Sequence, residues 1–159
     1  MKIAIITDTH FGARNDNANF NEYFFKFYEN LFFPTLIERG ITTCIHMGDV
    51  MDRRKYVSYK TATDFRKRFI DKFVEIGVDL HLIVGNHDTY YKNTNEINSL
   101  YELLGGPGEE KYSAKMFAPG TTIYADGMLY CYTYDGDFGL IQPKDTSFEL
   151  ISSFKVPGK

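Results

Sequence analysis

The sequence predicts an α/β fold in which helices cover a mostly parallel sheet, followed by a small antiparallel β meander. Three short apolar runs rich in β-branched residues are typical of strands buried on both faces. They alternate with segments whose apolar residues recur at helical spacing, and this order implies parallel strands joined by right-handed crossovers. Beyond residue 110 the helical spacing gives way to Tyr-rich alternating runs, which predict the meander.

The segments between the three strands are expected to form helices. Asn19 and Ser58 are the expected N-caps of the first two helices, and Pro34 should kink or split the first. Gly40 and Gly77 are expected to end them. The expected strands are residues 2–7, 41–47 and 80–84, and a last helix is expected over residues 95–104.

A run of glycine and proline divides the sequence into two regions. Residues 105–110 read GGPGEE, which breaks regular structure and suits a linker. We therefore expect an incomplete α/β region over residues 1–105 and an antiparallel β segment over residues 106–159. Hairpin-turn dipeptides at residues 126–127 and 135–136 support the meander. Its expected strands are residues 121–125, 128–134, 137–142 and 147–156.

Composition limits the class of protein. A chain of 159 residues with 43% hydrophobic and 25% charged residues is typical of a soluble globular protein. No window approaches the roughly 18 apolar residues of a membrane helix, and the first residues lack the pattern of a signal peptide. Cys44 and Cys131 lack metal-ligand spacing and are expected to be reduced, as in a cytoplasmic protein. The net charge of -3 argues against broad adhesion to nucleic acid but allows a local basic groove.

Metal-capable side chains follow each of the three predicted strands. These turns read DTH at residues 8–10, GDVMD at residues 48–52 and GNHD at residues 85–88. Ligands of open α/β sheets bind at the carboxyl ends of the strands, so the three turns should converge on one crevice. Mixed carboxylate, imidazole and amide ligands suit Mn, Fe or Zn. Each motif alone is more often structural, but together they indicate a two-metal centre that clamps a phosphate and activates water.

Glycine precedes the ligand residue in two of these turns. We expect the glycines before Asp49 and Asn86 to let the backbone turn sharply behind the ligands. The Asp49 carboxylate has two oxygens and can bridge two cations.

With these motifs, the segment from Met1 to about Leu104 resembles a calcineurin-like metallophosphoesterase. Among these it most resembles the SbcD-like nuclease subunits, and in particular the subunit of the T4-type phage recombination endonucleases. The matching stretches are IAIITDTHFG, HMGDVMDRRK and LHLIVGNHD. The resemblance implies these roles: one metal bound by Asp8 and His10, a bridging Asp49, a second metal bound by Asn86, phosphate contact and leaving-group assistance by His87, and orientation of His87 by Asp88.

The resemblance also implies cofactor, substrate and partner. The usual cofactor of the family is manganese, Mn²⁺, as two ions, and the implied function is hydrolysis of DNA in recombination and repair. The implied partner is an SMC-like ATPase, and a phage-encoded subunit would work in the host cytoplasm.

The chain departs from the family pattern at its histidines. The family takes further ligands from a later histidine and from a Gly-His-x-His turn, whereas this chain has histidine at positions 10, 46, 81 and 87. His46 and His81 precede their motifs within strands, and we expect both to be core residues. The expectation is therefore one well-held metal and one weak or absent one.

Basic residues follow the second motif directly. Arg53 and Arg54 are expected to hold the DNA backbone beside the metals, a contact that positions DNA without reading its sequence. Tyr90 and Tyr91 either stack on a nucleotide near His87 or pack within the protein, and the sequence leaves both open.

The tail and the function each leave alternatives. Residues 121–131 fit the hairpin that follows the third turn in the nucleases, whereas residues 130–156 resemble one blade of a PQQ-like β-propeller, which closes by repetition. The tail is then either truncated or joined from an unrelated protein. Alternatives to a nuclease are a small-molecule phosphoesterase and a catalytically inactive interaction module, which a stable homo-oligomer without hydrolysis would support.

Overall fold

A computed structural model describes most of the chain as two compact units. The described residues are 2–105, 114–117, 122–125, 127–133, 137–145 and 147–155. The units are Met1–Phe117 and Ala118–Lys159. The boundary between them lies later than the expected boundary at residue 105, because one further strand belongs to the first unit. The glycine-rich residues 106–110 and the turn residues Asp126, Asp135 and Gly136 lie outside the described residues.

A four-stranded parallel sheet forms the centre of the first unit, in the order β1-β2-β3-β4. The first three strands are the predicted ones; the first two are shorter than expected, and the third has the expected length but begins one residue earlier. The fourth was not predicted, because three residues are too few to show a period. The strands are β1 (Ala4–Ile6), β2 (Thr43–His46), β3 (Asp79–Ile83) and β4 (Lys115–Phe117).

Helices connect these strands, and two of the helical stretches contain a π-helical turn. The helical segments are α1 (Ala18–Phe27), π1 (Tyr28–Phe32), α2 (Phe33–Glu38), α3 (Tyr59–Phe65), π2 (Arg66–Ile70), α4 (Asp71–Glu75) and α5 (Ser99–Leu104). A further short turn, Ala13–Asp16, contains left-handed residues at Arg14 and Asn15. Pro34 does not break the first stretch: the Phe33 N–H bonds to the Tyr28 carbonyl in the turn just before it.

Side-chain caps fix where the helices begin. Asn17, not the expected Asn19, caps α1 by accepting from the Phe20 N–H at 3.0 Å. Ser58 caps α3 as predicted. The last helix begins later than expected because Asn98 caps it.

Aromatic rings form the core of the first unit. Phe69 is wholly buried, and its ring centroid lies 5.1 Å from that of Phe11 and 5.2 Å from that of Phe73. Phe11 also lies 5.0 Å from Phe65. Because Phe11 belongs to the turn after β1, these contacts fix that turn against the helices. Among the described residues, no helix is long and apolar enough to cross a membrane.

The second unit is a four-stranded antiparallel sheet in the order β5-β6-β7-β8. Its strands lie close to the predicted positions: β5 (Thr122–Ala125), β6 (Met128–Tyr132), β7 (Asp137–Pro143) and β8 (Phe148–Lys155). Ile123, Tyr130 and Phe138 are buried, whereas every residue of β8 is exposed. The α/β sheet followed by an antiparallel meander confirms the predicted fold class.

Candidate metal centre

The turns after β1 and β2 continue the pairing of their strands through the backbone. The Asp8 N–H donates to the Gly48 carbonyl and the His10 N–H to the Asp49 carbonyl, both at 3.2 Å. The Phe11 N–H then donates to the Val50 carbonyl at 2.8 Å. The side chains of the first two motifs are therefore brought together by main-chain hydrogen bonds, as the strand-end argument predicted.

Asp8, His10 and Asp49 form a cluster whose ligand atoms all lie within 4.8 Å of one another. Asp8 is exposed, His10 is half-buried and Asp49 is buried. The Nε2 atom of His10 lies 3.6 Å from Oδ1 of Asp8, and its Nδ1 atom lies 3.6 Å from Oδ1 of Asp52. Both separations exceed a hydrogen bond, and either one suits neighbouring ligands of a cation, because metal bonds of about 2.1 Å place adjacent ligand atoms about 3–3.5 Å apart. The two ring nitrogens point in different directions, so only one of them can bind a given cation.

The orphaned Nδ1 atom of His10 supports the same reading. It is buried and has no hydrogen-bond partner among the described residues. Buried polar atoms are seldom left without a partner unless a ligand, ion or water completes them. The residues present therefore fit a divalent cation.

The three cluster residues also share an unusual backbone conformation. Asp8, His10 and Asp49 have φ values of 55°, 43° and 54°, in the left-handed region. Asp and His tolerate this region better than most residues, and such strain is found where surrounding structure holds a functional group in place. Here the hydrogen bonds between the turns after β1 and β2 hold the three side chains in this conformation.

The two glycines of the second and third motifs bring their turns into backbone contact. Gly48 has a φ of 100°, as the expected sharp turn requires. Gly85 is not left-handed, so the expected reason is wrong for it. A Cβ added at Gly85 would lie well inside van der Waals contact with the Asp49 backbone and carboxylate. Gly85 is therefore required by the close approach of Asp49.

Asp88 joins the third turn to the second. Its Oδ1 accepts from the Met51 N–H at 2.8 Å, and its Oδ2 accepts from the N–H groups of Gly85 at 2.8 Å and Val50 at 3.2 Å. Burial raises the pKa of this carboxyl to about 6, although the three N–H groups favour the charged form. We expected Asp88 to orient the His87 ring, but its oxygens accept from three backbone N–H groups on the second and third turns instead.

The His87 ring is oriented by the second turn instead. Its Nδ1 lies 2.9 Å from the Asp52 carbonyl oxygen, which can only accept, so Nδ1 carries the proton of the neutral ring. The His87 N–H donates to Oδ1 of Asp49 at 2.9 Å. The ring meets that of His10 edge-on, with centroids 4.9 Å apart. His87 thus lies beside the Asp8–His10–Asp49 cluster with Nε2 available.

His46 is a core residue, as expected, and it positions the first turn. It is wholly buried, and burial lowers its pKa to about 3, so the ring is neutral. Its Nδ1 accepts from the Gly48 N–H at 3.2 Å, which leaves the Nε2 proton for the Thr9 hydroxyl at 3.0 Å. Thr9 in turn donates to the Val50 carbonyl at 3.2 Å. The sequence gives no signal for this chain of hydrogen bonds, except that the polar Thr9 stands between the predicted ligands Asp8 and His10.

Asn86 and Asp52 complete the edge of the site. Asn86 is exposed on the third turn, and its neighbours Gly85 and His87 both contact Asp49. Asp52 was not among the predicted ligands, yet it supplies the carbonyl that fixes His87 and a carboxylate near His10. Its place as the second aspartate of the GDVMD motif was the signal that could have identified it.

The two arginines after the second turn differ in their surroundings. Arg53 donates to the Asn15 side chain at 2.6 Å and to the Tyr56 hydroxyl at 2.5 Å, and it lies 3.8 Å from the Asp52 carboxylate. Arg53 therefore holds protein groups together at the rim. Arg54 makes no such contact, and its Nη1 atom is buried without a hydrogen-bond partner among the described residues.

The calcineurin-like phosphoesterase family matches residues 1–152 of this chain. The chain belongs to this family. The match covers nearly all of both compact units, and the matched residues include the cluster of Asp8, His10 and Asp49.

A relative of this calcineurin-like phosphoesterase comes from a phage. It is Exonuclease subunit 1 of Enterobacteria phage T4, which is 40% identical over 93 residues. Those residues are 58% of this chain but 26% of the relative. The chain thus spans about a quarter of the length of that subunit.

Proposed function

We propose that this chain hydrolyses the phosphodiester bonds of DNA, as part of a nuclease of recombination and repair. The observation that carries the proposal is the joint placement of Asp8, His10, Asp49 and His87 at one end of the parallel sheet. Membership of the phosphoesterase family supports hydrolysis, and the likeness to a phage exonuclease subunit favours DNA as substrate. By its resemblance to the SbcD-like nuclease subunits, the proposed partner is an SMC-like ATPase and the proposed location is the host cytoplasm.

In this proposal Asp8, His10 and Asp49 would hold one divalent cation, and Asp49 with Asn86 would hold a second one more weakly. Manganese is the proposed ion, since carboxylate, imidazole and amide donors suit it. Two such cations supply the Lewis acidity that activates water and stabilises charge on a phosphate. The scarcity of histidine, four in the chain, supports one firm and one weak site.

His87 is the proposed acid for the leaving group. Its Nδ1 proton is held by the Asp52 carbonyl, so a second proton binds at Nε2 and can pass to the departing oxygen as the phosphorus–oxygen bond breaks. Asp88 acts as a positioning residue: it holds the second and third turns at the spacing that places His87 beside Asp49.

Hydrolysis of bis-p-nitrophenyl phosphate tests the proposal. We expect turnover with added Mn²⁺, none with EDTA, and none in Asp49→Ala, whereas Asp145→Ala, an exposed aspartate of the second unit, should retain it. Calorimetry should show one tight Mn²⁺ and one weaker.

The outcomes separate the alternatives. Turnover of the small diester without cleavage of DNA would select a small-molecule phosphoesterase. No turnover by a folded chain that binds at most one Mn²⁺ would contradict the enzyme and leave an interaction module, for which a stable homo-oligomer would be the next evidence.

A further inference from the structure

A second cavity lies beside the metal centre, against the segment that follows the second turn. This cavity, of about 250 Å³, is bounded by Arg54 and Tyr56 on one side and by Tyr90, Ile97 and Ser99 on the other. We call it the Arg54 pocket. A neighbouring cavity of about 350 Å³ contains His87 and Asp52. Both cavities are lined by residues 53–56, so the Arg54 pocket is adjacent to the cavity that the proposed acid lines.

Two buried polar atoms of residues that line the Arg54 pocket lack partners. Nη1 of Arg54 and Oγ of Ser99 are both inaccessible to solvent and make no hydrogen bond with any described residue. Such atoms are uncommon in folded proteins, because a buried donor that lacks an acceptor has lost its hydrogen bond to water and gained no other in return. The Arg54 guanidinium can only donate and the Ser99 hydroxyl is able to donate, so one partner that carries acceptors would satisfy both. The Asn98 side chain is already satisfied: it bonds to the Tyr101 N–H and the Asn95 carbonyl.

The rest of the lining suits a flat, uncharged ring rather than a free anion. Val57, Ile97 and Leu103 make the walls largely apolar, and the exposed Tyr56 and Tyr90 contribute rings. The Arg53 guanidinium lies over the Tyr56 ring, 4.8 Å from its centroid, and the Glu102 carboxylate in the lining disfavours an anion. The Lys55 ammonium lies over the Tyr90 ring, 5.9 Å from its centroid. Aromatic faces stack on bases of single strands whatever their sequence, while polar groups bond to the exposed base edges.

We propose that the Arg54 pocket binds one unpaired nucleobase of a DNA strand whose backbone passes His87. The carbonyl acceptors of the base would satisfy Arg54 and Ser99, and one of the tyrosines would cover its face. A base within a duplex has its edge paired and its faces stacked, so the pocket selects a single-stranded or frayed end. This inference rests on the proposed function for the identity of the strand as DNA.

Binding of two short probes tests the pocket without catalysis. The full chain is titrated in EDTA against fluorescein-labelled thymidine hexanucleotide and against the same backbone with every base removed, and anisotropy is recorded. We expect the base-bearing probe to bind about tenfold more tightly, as one stacked and hydrogen-bonded base allows. Arg54→Gln and the milder Ser99→Ala should each reduce this ratio towards one by weakening the base-bearing probe alone. Lys67→Gln, which removes an exposed charge elsewhere, is the matched control and should keep the ratio.

Three results would overturn the inference. Equal affinity of the wild-type chain for both probes would mean that no base is bound. Equal weakening of both probes by Arg54→Gln would make Arg54 a contact to the backbone phosphates. Binding of neither probe up to about 1 mM protein would leave no strand site at all. Because EDTA prevents metal-dependent turnover, base discrimination can persist where hydrolysis fails, and the two proposals fail separately.

Discussion

The two compact units differ in how much of their own apolar surface they cover. In the first, helices and turns bury a cluster of aromatic rings, and Phe65, Phe69 and Phe73 are almost wholly inaccessible. In the second, Phe148 is 71% exposed and its whole strand is open to solvent. The metal-ligand turns therefore belong to the unit whose packed core can hold them in place. The second unit depends mainly on hydrogen-bonded pairing between neighbouring strands.

Removal of one ring from each unit tests this comparison most strongly. Phe69→Ala should lower the free energy of unfolding by about 3–5 kcal/mol, since it leaves a cavity among packed rings. Phe148→Ala should change it by less than about 0.5 kcal/mol, because that side chain is already hydrated. Urea unfolding followed by circular dichroism measures both. Similar losses in the two variants would show that Phe148 is covered in solution.

A second test concerns the carboxylate that joins two turns. Asp88→Asn should cost about 2 kcal/mol, because the amide nitrogen would face backbone N–H groups that Asp88 now accepts from. It should also weaken Mn²⁺ binding in calorimetry, since the spacing of the turns depends on these bonds. Asp145→Asn, exposed in the second unit, is the control and should do neither. An unchanged Mn²⁺ affinity would show that the Gly48–Gly85 contact alone fixes the spacing.

The pH dependence of stability tests the role of His46. Its pKa is about 3 in the folded chain against 6.5 when unfolded, so below pH 6.5 the unfolded state binds a proton that the folded state refuses. The contribution of His46 to the free energy of unfolding is therefore fully present above pH 6.5 and is lost as pH falls towards 3. This contribution falls by about 2 kcal/mol between pH 7 and pH 5. Denaturation in EDTA at both pH values should show a loss about 2 kcal/mol larger in the wild type than in His46→Asn, and this difference isolates His46 because the raised pKa of Asp88 acts in both chains. Equal pH dependence in both chains would place the titration elsewhere.

Removal of an ion pair should give the smallest difference between the two units in the free energy of unfolding. Arg68 contacts Glu22 and Glu29 at 2.7 Å and lies over the Phe25 ring, so Arg68→Ala should cost about 1 kcal/mol. Lys144 pairs with Glu149 at 2.7 Å, but both side chains are more than half exposed. Lys144→Ala should cost no more than about 0.5 kcal/mol. Thermal unfolding at low and high salt checks the order, and a larger effect of Lys144 would reverse it.

The sequence predicted the sheet and the meeting of the turns because both follow from simple periods. Apolar runs located β1, β2 and β3, and the rule that parallel strands end at one edge brought Asp8 and Asp49 together. The same rules could not find β4, which is too short to show a period. They also placed the cap at Asn19 rather than Asn17, because both residues are equally good caps and only the fold chooses between them.

The finer arrangement of the site depends on contacts that no pattern records. Asp88 was expected to face His87, yet its oxygens accept from three backbone N–H groups on two turns. Whether a carboxylate next to a histidine contacts its ring or a backbone depends on where the neighbouring turn runs. The pairing of His46 with Thr9 likewise joins residues 37 positions apart.

The left-handed backbone of Asp8, His10 and Asp49 has a consequence for how this protein can change. Each of these residues keeps a conformation that glycine adopts without cost, so a substitution to glycine there would relieve strain while it deletes a ligand. Selection for thermal stability alone would therefore tend to favour glycine substitutions that remove metal ligands from the centre. The ligand side chains are therefore kept at some expense of backbone stability, and the contacts between the paired turns offset that expense.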